Sequence, residues 1–384
     1  MYSDFFRELV ALRSMMLSSL NDDLQLYSKN IYSFKQHNEV VSTSTVCSMI
    51  LRDEGYEVVG VTLLMQPAKD EQAQKACGGS DSVAVAATAA AQLGIQHVVV
   101  DCRVAFERDV IRPCWETFAR GATPNPCIQC NPRIKFAGLV QSAQEQNCAL
   151  VATGHYARIA YDEQKRPMIR RGADVEKDQS YFLYGLSADV RQRVRFPLGD
   201  MTKTEVRARA QAYGLVNASR AESQDVCFAG PEGHVAEQLR KKYDGKAIPG
   251  AIVDESGKEL GHHDGIHQFT IGQRRGLGVA TGARAKIVSI NATTGTIVLS
   301  SRPDAVYGTT CQARSFMWHR EIPAIGTSLM AQVRYRQKPV TATLDMATDD
   351  SVSVHFSDPV FGITPGQSLV LYADDCVLGG GIIE

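Results

Sequence analysis

Two near-continuous apolar runs, YEVVGVTLLM at 56–65 and IQHVVVD at 95–101, flank the alanine-rich stretch SVAVAATAAAQLG and constrain this fold more than any other feature. Runs this solidly apolar are strands buried on both faces, and a helix between them supplies the crossover that parallel strands need. VCSMILRDEG, ahead of the first run, reads as another helix, ended by Gly55. The alternation predicts an α/β parallel-sheet nucleotide-binding domain with a ligand crevice at the carboxyl ends of its strands. Helices expected at 106–118, 133–146 and 202–213, with the strand ALVATGH, carry that unit over 39–215, behind an atypical segment at 1–38.

The remaining chain is patterned differently. Turn signals at Pro249-Gly250 and Ser256-Gly257 and the helix GHVAEQLRKKY suggest a small central linker domain at 216–280. Short alternating runs, AKIVSI, GTIVLS, LMAQVRYR, VTATLDM, SVSVHF, SLVLYA and CVLGGGIIE, predict a C-terminal antiparallel β-barrel at 281–384. A chain of 384 residues is long enough for several cores. It has no apolar run near the roughly 18 residues of a membrane span. Asp4 and Glu8 spoil a targeting reading of the start, so a cytoplasmic protein with no membrane partner is expected.

Ten irregularly spaced cysteines point to reduced thiols, some of them reactive. The densest cluster is TPNPCIQCNPRIKF, residues 123–136. A helix beginning at Arg133 would place Cys130 near its amino end, where the helix dipole and Arg133 favour thiolate. A structural zinc site needs a second cysteine pair, which Cys227 in SQDVCF does not supply. Charge is also uneven. Residues 274–340 hold ten Lys and Arg against Asp304 and Glu321, a net of +8 that suits a phosphate-backbone footprint.

These strings, with ATGHYAR (152–158), KDQSYFL (177–183), FPLG (196–199) and FTIGQRRGLG (269–278), make the chain resemble the bacterial tRNA-specific 2-thiouridylase family over about residues 46–384. The resemblance implies ATP-dependent 2-thiolation of the wobble uridine of tRNA, with Mg2+ and a persulfide sulfur-donor protein. It implies Cys130 as the nucleophile that attacks the adenylated base and Cys227 as the persulfide carrier; two thiols on separate loops suit relay by thiol exchange. Asn125, Pro126 and Cys127 correspond to the loop that meets the target base. Leu63 and Gly154 correspond to ATP contacts. His155, Lys177, Asp178, Gln179, Arg334, Tyr335 and Gln367 correspond to tRNA contacts, and the central domain becomes a tRNA-binding one.

One departure stands out. The family's pyrophosphate loop, Ser-Gly-Gly-Val-Asp-Ser, is replaced here by Glu39 followed by Val40, Val41, Ser42, Thr43 and Ser44. Valine side chains obstruct the close approach that glycines allow, and a glutamate repels phosphate. Codons for Gly-Gly-Val-Asp read one base late give Val-Val-Ser-Thr, so a shifted frame is a simple account. The segment SKNIYSFKQHN also offers no apolar first strand. Two alternatives follow: a tRNA-binding remnant or pseudogene product that does not use ATP, and a thiolase in which Cys127, Cys130 and Cys227 hold a [4Fe-4S] cluster.

Overall fold

The computed structural model describes residues 30–34, 40–66, 80–214, 226–229, 234–282 and 284–384. Strands β1 (Asn30–Phe34), β2 (Glu57–Leu64), β3 (Gln96–Asp101) and β4 (Leu150–Thr153) build the first sheet. A hairpin of β5 (Ala157–Tyr161) and β6 (Pro167–Arg171) then leaves it, and β7 (Val194–Arg195) returns beside β4. The order is β3-β2-β1-β4-β7, and every pairing is parallel. Six consecutive residues of β2 are buried, as its unbroken apolar run requires.

The segment expected to lack a first strand instead contributes β1, the centre of the sheet. Ile31 registers with Val58 on one side and Leu150 on the other. Backbone pairing with two neighbours holds a short strand whatever its own propensity. The strand order reverses between β1 and β4, which places the ligand crevice at their carboxyl ends.

The helix expected to begin at Arg133 begins at Pro126. Pro126–Cys130, a π segment at Asn131–Phe136 and Ala137–Glu145 follow one another without a break. Pro126 occupies the first turn, where its missing N–H is no loss, and the wider π turn accommodates Pro132, whose ring would crowd a tighter helix. The helix at 103–119 repeats the device, with a π segment at Glu107–Ile111 just ahead of Pro113.

Next come β8 (Gly250–Asp254), β9 (Glu259–His263), β10 (Lys286–Ile290) and β11 (Ile297–Ser300), in sheet order β10-β11-β8-β9. AKIVSI and GTIVLS, expected in the barrel, therefore lie in this middle sheet. Ile297 registers with Ile252 across a parallel pair and shares a core with Ile266 and Ile287. Periodicity tells which face of a strand is buried but not which strand it joins.

The last unit comprises β12 (Tyr307–Trp318), β13 (Ser328–Gln332), β14 (Val340–Ala347), β15 (Ser351–Phe361), β16 (Ser368–Ala373) and β17 (Cys376–Ile383). A β12–β17 pairing closes these six into an antiparallel barrel around Phe316, Leu344, Val354, Phe356 and Leu371. The β5–β6 hairpin joins it through β6 and β17, where Asp375 accepts from Arg170 at 2.6 and 2.8 Å and from Arg158 at 3.0 Å. Among the described residues no helix is long and apolar enough to cross a membrane.

Candidate active site

Cys130 sits at the end of the opening α-helical turn of the helix at 126–145 and is 3% exposed. Cys127, one turn earlier on the same face, is half-buried. Burial pushes the Cys130 thiol up to about 12 and raises that of Cys127, while Lys135 pulls both down. The expected thiolate is thus opposed by desolvation, and the cation that acts on Cys130 is Lys135, with Arg133 contributing nothing resolved.

Cys227 is half-buried, and its carbonyl accepts from Gln66 Nε2 at 3.0 Å, just beyond the carboxyl end of β2. The Phe228 ring meets that of Phe106 edge-on at 6.1 Å. Cys227 and Phe228 pack against the same core that buries Cys130. Neither cysteine is in a disulfide.

The approach to Cys127 is held from two other units. Gln367 Nε2 donates to Thr123 O at 2.9 Å and to Pro124 O at 3.3 Å, and Thr123 N donates to Pro365 O at 2.8 Å. Thr123 Oγ1 donates to Thr270 Oγ1 of the middle unit at 3.0 Å. Gly366 has φ +89°, and a Cβ there would lie 2.8 Å from Thr123 O, so only glycine fits. Asn125 then precedes the helix without capping it through its side chain.

At the sheet's switch point, Gly154 follows β4 and abuts the helix Val40–Asp53: a Cβ on it would lie 3.4 Å from Thr43 Cβ. Thr43, Ser44 and Thr45 are buried. The expected substitute for a glycine loop is therefore helical from Val40; Glu39 and the side chains of Val40, Val41 and Ser42 lie outside the described set. Leu63 is 1% exposed, packed against Gly138. Among the described residues no three His, Cys, Asp or Glu side chains group as metal ligands.

Residues 41–231 match the family described as tRNA methyl transferase HUP domain, 238–301 its PRC-barrel domain, and 308–383 the aminomethyltransferase beta-barrel domain. The tRNA-specific 2-thiouridylase MnmA of Trichormus variabilis is 42% identical over 89% of this chain and 95% of its own length. That of Gloeothece citriformis is 42% identical over 89% and 96%, and that of Carboxydothermus hydrogenoformans 40% over 89% and 94%. The chain belongs to the tRNA-specific 2-thiouridylase family.

In this thiouridylase-family chain, several residues matched to tRNA contacts also hold the scaffold. His155 is 1% exposed, stacked on Phe136 at 5.7 Å, with Thr153 Oγ1 2.7 Å from its Nδ1. Asp178 accepts from the backbone of Gly172 and Ser180 at 2.9 and 3.1 Å. Gln179 exchanges hydrogen bonds with the backbone of Tyr156 at 2.8 and 3.0 Å. Lys177 occupies the half-exposed turn beside them. Arg334 Nη2 donates to Ile271 O at 3.1 Å and to Thr364 Oγ1, which joins the middle unit to the barrel. Tyr335 lies against Phe182 with ring centroids 4.3 Å apart.

The thiouridylase's basic stretch is also less free than its count. Arg302, Arg314 and Arg320 pair with Glu255, Glu384 and Asp162 at 2.9, 2.6 and 3.1 Å. Arg274, Arg275, Arg284 and Lys338 are exposed without an ion pair among the described residues. Thr123, Lys135 and Phe182 fall inside the strings TPNPCIQCNPRIKF and KDQSYFL but drew no role of their own from the sequence, and Gln66 lies outside every such string.

Proposed function

We propose that this chain 2-thiolates the wobble uridine of tRNA, using ATP to activate the C2 oxygen and a persulfide as the sulfur source. The observation that carries the reading is the pair of cysteines outside any disulfide, Cys130 and Cys227, packed on one core in a chain with the family's full set of units. Uridine O2 attacks the α-phosphate of ATP and pyrophosphate leaves. The Cys130 thiolate adds at C2 and AMP departs. The outer sulfur of a Cys227 persulfide then displaces Cys130 from C2. Finally Cys130 attacks Cys227 Sγ, which releases 2-thiouridine and leaves a Cys130–Cys227 disulfide for an external dithiol to reduce.

The residues around Gly154 suit the nucleotide, because a helix start meets a glycine at the switch point. Asn125, Pro126 and Cys127 would receive the uridine turned out of its stack. His155, Asp178 and Gln179 would act by holding the RNA-facing turn in shape, with Lys177 on its surface. Arg334, Tyr335 and Gln367 would set the barrel against that turn and against the base loop. Mg2+ would enter with the phosphates of ATP and is given no step of its own.

The test is incubation with unmodified tRNA, ATP, Mg2+ and a persulfide donor, followed by nucleoside mass spectrometry. Formation of 2-thiouridine that is lost in Cys130→Ser and Cys227→Ser supports the reading; thiolation that survives either change refutes the relay. The second reading, a tRNA-binding remnant, rests on the valines at 40 and 41 alone. It predicts tRNA binding with neither ATP binding nor product.

A further inference from the structure

The helix at 126–145 carries its π segment, Asn131–Phe136, directly behind Cys130. Residues five apart in an α-helix are separated by about 140° around the axis. Hydrogen bonding from i to i+5 widens the turn and brings such residues onto one face. Lys135 thereby comes within electrostatic reach of Cys130, five residues earlier, and of Cys127.

Lys135 is 2% exposed, between Ile134 and Phe136, which are both buried. Among the described residues its side chain makes no hydrogen bond, ion pair or ring contact. An ammonium on so enclosed a side chain is ordinarily matched by a counter-charge. The groups that can become one are the thiols. Cys130 is faced by Cys127 on its own helix and by Cys102 at the end of β3, and Cys127 by Cys114 on the helix at 103–119. Among the described residues Lys135 is the cation that acts on Cys127 and Cys130.

We propose that Lys135 is the charge partner of Cys130, swung into place by the π turn, and that it stabilises the thiolate when the thiol gives up its proton to solvent. The same ammonium receives the negative charge that returns to this sulfur when it is displaced from the base. The proposal deepens the thiolation reading by giving a buried thiol a means of ionising. It is tested on Cys130 itself, with neither tRNA nor ATP present, so its failure and that of the proposed activity are distinguishable.

The experiment is site-resolved alkylation of the full chain with N-ethylmaleimide at several pH values, read by peptide mass spectrometry. Cys376, half-buried in the barrel, serves as the internal reference because the charges acting on it are Asp375, Arg170 and Arg320. Lys135→Met should slow labelling of Cys130 about tenfold or more at neutral pH, the effect of one unit in thiol pKa. Cys127 should slow to a lesser degree, Cys376 should be unchanged, and Lys135→Arg should restore most of the rate. Unchanged labelling of Cys130 overturns the proposal. So does faster labelling of all the buried thiols, which marks Lys135 as a packing residue. If Lys135→Met does not fold, Lys135→Gln gives the same readout.

Discussion

Gln367, at the start of the barrel's fifth strand, reaches across to Thr123 O at 2.9 Å and ties the barrel to the segment that leads into Cys127 and Cys130. Gln367→Ala removes this bond and the one to Pro124 O. Stability in urea should fall by about 1–2 kcal/mol, the net worth of two such bonds. Hydrogen exchange should rise at 123–130 more than at β2. Uniform exchange in both segments would show that the bond does not order the loop.

Restoring the nucleotide loop should be visible in binding. Val40→Gly with Val41→Gly at the head of the helix Val40–Asp53 should tighten ATP binding at least tenfold, about 1.4 kcal/mol, by calorimetry. Equal affinity in both chains would mean that the valines do not obstruct phosphate. Sequencing the coding DNA addresses the shifted frame separately.

Stability should depend on pH in the alkaline range. Burial pushes Cys114, Cys130 and Cys311 from 9.0 up to about 12. Unfolded thiols lose their protons near 9 while the folded ones keep them, so the folded state binds more protons between these values. Stability is fully present below the unfolded value and falls as pH rises toward 12, by about 1.4 kcal/mol per pH unit for each such thiol. Urea titrations at pH 7 and 10 should show the fall, and Cys311→Ala should lessen the slope. A flat profile would contradict the burial of these thiols.

RNA affinity should separate the exposed cations from the paired ones. Arg274→Glu with Arg275→Glu should weaken tRNA binding and reduce the slope of affinity against salt by about 2, one unit per lost phosphate contact. Arg314→Gln, at a site already paired with Glu384, should change the slope by less than about 0.5. Equal effects would mean that net charge alone governs binding.

Much of the fold was legible because burial on both faces leaves a mark along the chain. The runs at β2 and β3 were found for that reason, and so were the helix ends at Gly55 and Gly94, where φ is +87° and +65°. The strand β12 was missed: YGTTCQARSFMW alternates weakly, with Cys311, Ala313 and Phe316 as its buried members. Nor was β1 legible, since a strand flanked on both sides by parallel neighbours needs little propensity of its own.

For the site, the sequence by itself determined the family, the cysteines at 130 and 227 and the valines at 40 and 41, because these are identities at positions along the chain. Only the tertiary structure decided what surrounds them. It buried Cys130 and opposed its ionisation, placed β10 and β11 in the middle sheet, and turned Gln367 and Arg334 into braces between segments far apart in sequence. It also brought Lys135 to the thiols through a π turn. Desolvation and charge depend on distances through space, and a local pattern of residues carries no record of them.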